Sequence, residues 1–166
     1  MRNFFKLTFA SNIILTVVSY FLLPSRIAMH FGIGGYPDSW CLKHTYILTF
    51  FALDVPLFLL IYFMPFLIFK CPANILNLPK KTFWLKEENR PRLKEKTDSV
   101  MSEFGVALFA FIFVTKLLTL DANQSDPVRL NERVFLSALI IFLIYTVYWC
   151  VKFFRAFRIP KNCSIT

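Results

Sequence analysis

Both histidines of the chain, His30 and His44, lie close to Asp38 and Cys41 in a short polar stretch. Side chains of these types can hold zinc. Their spacing is not that of a recognised ligand set, and no second cluster supports it, so no metal is expected. His30 then reads as a hydrogen-bonding residue that ties the stretch together, or as part of a surface that recognises a ligand or toxin. His44 reads as a residue of the membrane interface.

A second chemical candidate is Asp54, which sits deep in an apolar run two residues before Pro56. An ionisable group at that depth is costly in lipid and marks a candidate functional site. Three roles are open to it. Pro56 frees backbone N–H groups that the carboxylate could cap. Lys116, at similar depth in another run, could pair with it. Or the carboxylate could handle an ion or substrate. Asn12 and Glu103 read as inter-helix glue. The GxSxG, HExxH, P-loop and CxxC patterns are all missing. The expectation is a protein that is not an enzyme and uses no cofactor.

The elements that carry these residues are apolar blocks. The chain has 166 residues, 57% of them hydrophobic and 21 of them phenylalanine. That exceeds what a soluble domain of this length needs for its one core. Four runs, about 4–23, 46–69, 101–120 and 134–154, each approach the ~20 residues that cross a bilayer. They predict an all-α, polytopic membrane protein: a single domain, 1–166, with four transmembrane helices and a structured extracytoplasmic loop at 24–45. The first run lacks a small-x-small cleavage site before Pro24 and reads as a retained helix rather than a signal peptide.

Four spans place the N-terminus, the 70–99 loop and the C-terminus on one side, with 14 of the 19 Lys and Arg residues; the other side has 5. Both termini are therefore expected in the cytoplasm of a cell-membrane protein, its cations on anionic headgroups rather than on nucleic acid. Cys41 then lies across the membrane from Cys71, Cys150 and Cys163, which rules out one shared disulfide framework.

Between the first two runs, "RIAMHF" alternates like an extended strand, and Pro37 suits the second position of a turn in "YPDS". Trp40 and Tyr46 suit the interface. In the basic loop, Phe83 and Trp84 beside Lys80 and Lys81 predict an interfacial anchor. Asn89 and Pro91 predict a helix start, with Asn89 as cap, running on into the third span.

"LPSRIAMHFGIGGYPDSWCLK" resembles the signature of an uncharacterised bacterial membrane-domain family, a domain of unknown function also found at the N-terminus of SdpI-type toxin-immunity proteins. Leu23, Pro24, His30, Phe31, Gly35, Pro37, Asp38, Trp40 and Lys43 match in order. A polar residue is usual after the His-Phe pair, where this chain has Gly32. "LNLPKKTFWLKEENR" is similar to a second family segment through Asn77, Pro79, Trp84, Leu85, Glu88, Asn89 and Arg90. The resemblance implies a membrane fold and location, with immunity as one possible role. Two function classes follow: a non-enzymatic binding, immunity-type or sensor protein whose outer loop meets an extracytoplasmic peptide or a partner membrane protein, and a small transporter or accessory channel subunit with Asp54 in its pathway.

Overall fold

The structure, a computed structural model, describes residues 1–72, 74–76 and 78–158. Its frame is helical. Helix α1 spans Arg2–Leu22, α2 Lys43–Lys70, α4 Arg90–Gln124 and α5 Glu132–Ala156, with a one-turn α3 at Lys81–Trp84. The four long helices are each long and apolar enough to cross a membrane. A helix suits that setting because it satisfies its own backbone polar groups. Pro56 and Pro65 lie within α2, which continues through both.

Helices α1, α2 and α4 pack on one another, and α5 lies outside them, chiefly against α4. No residue of α5 is buried within the protein. Its large apolar side chains, such as Ile141, Ile144 and Val147, point outward, as lipid-facing residues do. Gly105 sets the approach of α1 to α4, because a Cβ there would collide with the Phe5 ring. Phe5, Phe9, Phe58 and Phe109 pack ring against ring across the three helices at this level, stacked between α1 and α2 and tilted or edge-on toward α4, with contacting centroids 4.1–5.9 Å apart.

Between α1 and α2 the chain forms a two-stranded antiparallel hairpin. Strand β1 is Arg26–Phe31 and β2 is Pro37–Leu42, with Arg26 opposite Leu42 and Phe31 opposite Pro37. The fold is thus all-α but for this hairpin. The reversal is not in "YPDS": Pro37 opens β2, and the turn lies one step earlier, in a 3-10 turn at Ile33–Gly35. Gly34 and Gly35 take φ values of 78° and 76°, which glycine adopts without the steric cost of a Cβ. A strand-opening proline is allowed because its missing N–H lies at the end of the ladder.

The opposite face carries the start of α1, the end of α5 and the basic loop. Arg2 pairs with Asp98 at 3.0 Å, and Trp84 Nε1 donates to the Phe157 carbonyl at 2.8 Å. Trp84 is fully buried against Phe157, Leu93 and Ile68. It is therefore a core tie between the loop and α5, not a ring at headgroup depth. The Lys96 ammonium lies 4.9 Å from its ring centroid and donates to the Ala156 carbonyl. Asn89 precedes α4, as expected, but its side chain does not cap: Nδ2 donates to the Phe83 carbonyl at 2.9 Å, folding the loop back on itself.

Candidate functional site

The hairpin is bolted to the bundle at two places, and the first is a single side chain. Asn123, at the end of α4, accepts from Ala28 N at 2.7 Å and donates to Ala28 O at 2.9 Å. Its amide thus completes the free edge of β1 as a neighbouring strand would. Ala28 and Ile27 are fully buried beneath it. The second attachment is the turn. Leu130 N donates to Gly35 O at 2.8 Å, and Gly34 N donates to Glu132 Oε2 at 3.1 Å. Arg129 Nε donates to Gly34 O at 2.9 Å, with its guanidinium 4.7 Å from the Tyr36 ring centroid. A Cβ on Gly35 would strike the Leu130 carbonyl, so the close approach requires glycine.

Between these attachments lies a cavity of about 450 Å³. Its roof is β1 and the turn, including His30, Phe31 and Ile33; its walls are Thr115 and Thr119 of α4 and Phe135 and Leu136 of α5. The two threonine hydroxyls donate to carbonyls of their own helix, which leaves their oxygens as acceptors. Glu132 adds a carboxylate at one end. The lining is mostly apolar with a few polar groups, the usual make-up of a ligand pocket.

The residues singled out in the sequence divide between this roof and elsewhere. His30 Nδ1 and Asp38 Oδ1 lie 2.6 Å apart on the exposed side of the hairpin. The pair braces the two strands but does not attach them to the bundle. A Cβ at Gly32 would lie 3.1 Å from Asp38 Oδ2, so a polar residue there would touch the same carboxylate. Pro24 and Trp40 are exposed. Lys43 reaches the Tyr20 carbonyl at 3.5 Å and lies over the Tyr20 ring. His44 also faces Tyr20, and the Cys41 thiol faces the Met29 sulfur at 3.6 Å. Burial pushes the Cys41 thiol up, which disfavours the reactive thiolate. Tyr46 is not at the interface but in the core, 1% exposed, against Ile27, Leu15 and Leu120. In the second motif Arg90 pairs with Glu87 at 3.7 Å and lies over the Phe69 ring, while Pro79 is half-buried. Asn77 and Cys163 fall outside the described residues.

Asp54 and Lys116 meet in the α1–α2–α4 core as a buried ion pair, 0 and 1% exposed. The ammonium also donates to Thr16 Oγ1 at 2.9 Å and to Asn12 O at 3.5 Å, and lies 4.7 Å from the Phe50 ring centroid. Asp54 makes no helix cap; its second oxygen, Oδ1, has no hydrogen-bond partner among the described residues. Asn12 Nδ2 donates across to the Phe109 carbonyl at 2.8 Å. Glu103 takes two contacts from Lys152, at 2.5 and 2.7 Å, and joins α4 to α5.

Residues 7–53 match the family described as Domain of unknown function (DUF1648). The matched stretch runs from the first turns of α1 through the whole hairpin to Leu53 of α2. It therefore supplies the roof of the cavity, while α4 and α5 supply its walls. No curated protein and no solved structure matches the chain.

Sequence reading missed Asn123, Leu130 and Glu132, the residues that fix the hairpin. One signal was present for Asn123. It lies seven residues after Lys116, on the same helical face, at the end of an apolar span.

Proposed function

We propose that the chain is a non-enzymatic binding protein of a bacterial cell membrane, of the immunity or sensor type. It takes an apolar segment of an extracytoplasmic peptide beneath its hairpin. The observation that carries this reading is the cavity of about 450 Å³ roofed by the His30–Gly35 stretch and walled by α4 and α5. Apolar side chains fit between Phe31, Phe135 and Leu136, and a donor group on the peptide meets Glu132 or the threonine oxygens. The Lys and Arg distribution supports an orientation with the hairpin outside and both termini cytoplasmic, where the basic loop meets anionic headgroups.

The test is native mass spectrometry of the protein released from its host membrane in mild detergent. A peptide mass should stay with the wild type and be lost in Leu136→Trp, whose indole fills the cavity. It should remain in Leu60→Trp, a change on the exposed face of α2. A protein that carries no peptide, or one equally loaded in Leu136→Trp, would overturn the reading.

The buried Asp54–Lys116 pair favours a second reading, a small transporter or accessory channel subunit with Asp54 in its pathway. Ion-linked flux in vesicles, lost in Asp54→Asn, would mark that function. The packed phenylalanines between the pair and the face that carries the start of α1 weigh against an open pathway in this conformation.

A further inference from the structure

Helices α2 and α5 both pack on α4 but hardly on each other. Where they part, beside the basic loop, they leave an apolar slot of about 280 Å³. Leu67 and Ile68 of α2, Thr97 and Met101 of α4, and Trp149 and Phe153 of α5 line it, joined by Leu78 of the basic loop. No charged side chain is among its lining residues. Leu67, Ile68, Trp149 and Phe153 fall within the last two turns of their helices, so the slot lies at the membrane-facing end of two spans.

Two physical facts narrow the occupant. The first is the apolar lining. Water finds too few polar partners in such a space to stay there, whereas hydrocarbon regains the dispersion contacts that an empty slot forfeits. The second is charge at the mouth. Lys70 directly precedes Cys71 and Arg158 directly follows Phe157, and both Cys71 and Phe157 line the slot. Both cations are exposed. Lys96 lies beside them, its ammonium donating to the Ala156 carbonyl at 2.7 Å. The carboxylates on this side are drawn to other cations: Asp98 to Arg2, Glu88 to Lys86, Glu87 to Arg90 and Glu103 to Lys152. Among the described residues no carboxylate forms an ion pair with Lys70, Lys96 or Arg158. An apolar slot with a cationic rim fits a molecule that is hydrocarbon below and anionic above.

We propose that the slot holds one acyl chain of an anionic phospholipid from the adjoining leaflet, with its phosphate at Lys70 and Arg158 and Lys96 beside them. The chain lies between α2 and α5 and bridges two helices that scarcely touch. The lipid thus fastens α5, which otherwise packs chiefly on α4, to the rest of the bundle. A diffuse attraction of the basic loop for headgroups would need no slot; this site takes one lipid and reads both its ends. It shares no residue with the peptide cavity beneath the hairpin.

Native mass spectrometry tests it, with the delipidated protein in mild detergent given equal amounts of phosphatidylglycerol and phosphatidylcholine of identical chains. One phosphatidylglycerol should bind ahead of any phosphatidylcholine. Each cation at a membrane surface favours an anionic lipid about fivefold, so Lys70→Gln with Arg158→Gln should cut the preference by roughly 25-fold. Lys6→Gln with Arg92→Gln, which removes the same charge elsewhere, should leave it nearly unchanged. Leu67→Trp, whose indole fills the slot, should lose the first adduct, and the exposed Leu60→Trp should keep it. No preference for phosphatidylglycerol, an equal loss in both charge variants, or an adduct retained in Leu67→Trp would overturn the site. Fluorescence in phosphatidylcholine vesicles needs no slot variant. A small fraction of phosphatidylglycerol with brominated chains should quench the emission that Trp149→Phe removes, well beyond that lipid's share of the bilayer. Quenching only in proportion to its share would contradict the proposal. Neither result depends on whether a peptide occupies the other cavity.

Discussion

Asp54→Leu is expected to destabilise the bundle by about 3–5 kcal/mol, the typical cost of leaving one member of a buried ion pair without its partner. Lys116 is 1% exposed and sits over the Phe50 ring, so its ammonium has no short route to water once the carboxylate is gone. Thr16 Oγ1 and Asn12 O would remain as its only acceptors, and both are neutral. In detergent the loss should appear as a fall in Tm on the order of 10 °C. Adding Lys116→Leu should restore much of it, because exchanging a whole buried pair for apolar side chains is often close to neutral. A double variant no more stable than Asp54→Leu would mean that the pairing does not hold these helices together.

Asn123→Leu is expected to release the hairpin while leaving the helices folded. It removes both bonds to Ala28 and strands a backbone N–H and C=O in a fully buried position. Each stranded group costs about 1–3 kcal/mol. The remaining attachments are the hydrogen bonds of Gly34 and Gly35 with the 125–131 loop and with Glu132 of α5, and the packing of Ile27 on Leu15, Tyr46 and Leu120. Trypsin applied to the hairpin face should then cut at Arg26 and Lys43, where the wild type is expected to resist. His30→Ala should stay resistant. The His30–Asp38 pair has side chains 72 and 49% exposed, and even a charged pair so exposed contributes only about 0–1 kcal/mol. Greater lability in His30→Ala than in Asn123→Leu would reverse the roles assigned to the two residues.

The contrast between these residues shows what was legible in the sequence. The four helices were readable because lipid demands long apolar runs, and that demand is written in composition alone. The extended character of "RIAMHF" was readable from its alternation. The position of the turn was not. Pro37 and the Gly32–Gly35 run both promise a reversal, and only the docking of Gly34 and Gly35 onto Leu130 and Glu132 chose between them. Trp84 misled for a related reason. An aromatic beside lysines suits a headgroup layer, but an acceptor on Phe157, far along the chain, drew the indole into the core. The Asp54–Lys116 contact could be anticipated from depth, because charges buried in lipid seek partners. The cavity could not, since its roof and walls come from segments about a hundred residues apart, as the Gly34–Glu132 contact records.

Amide hydrogen exchange of the wild-type protein in detergent or nanodiscs, read at Ala28 and Leu130, tests the fixed roof most directly. Ala28 N–H is held by Asn123, and Leu130 N–H by Gly35. A hairpin docked as a roof predicts slow exchange at both, comparable with amides in the middle of α4 and far slower than at the exposed loop residue Asp126. Exchange at Ala28 and Leu130 as fast as at Asp126 would mean that the hairpin moves freely above the bundle, and that no fixed cavity exists beneath it.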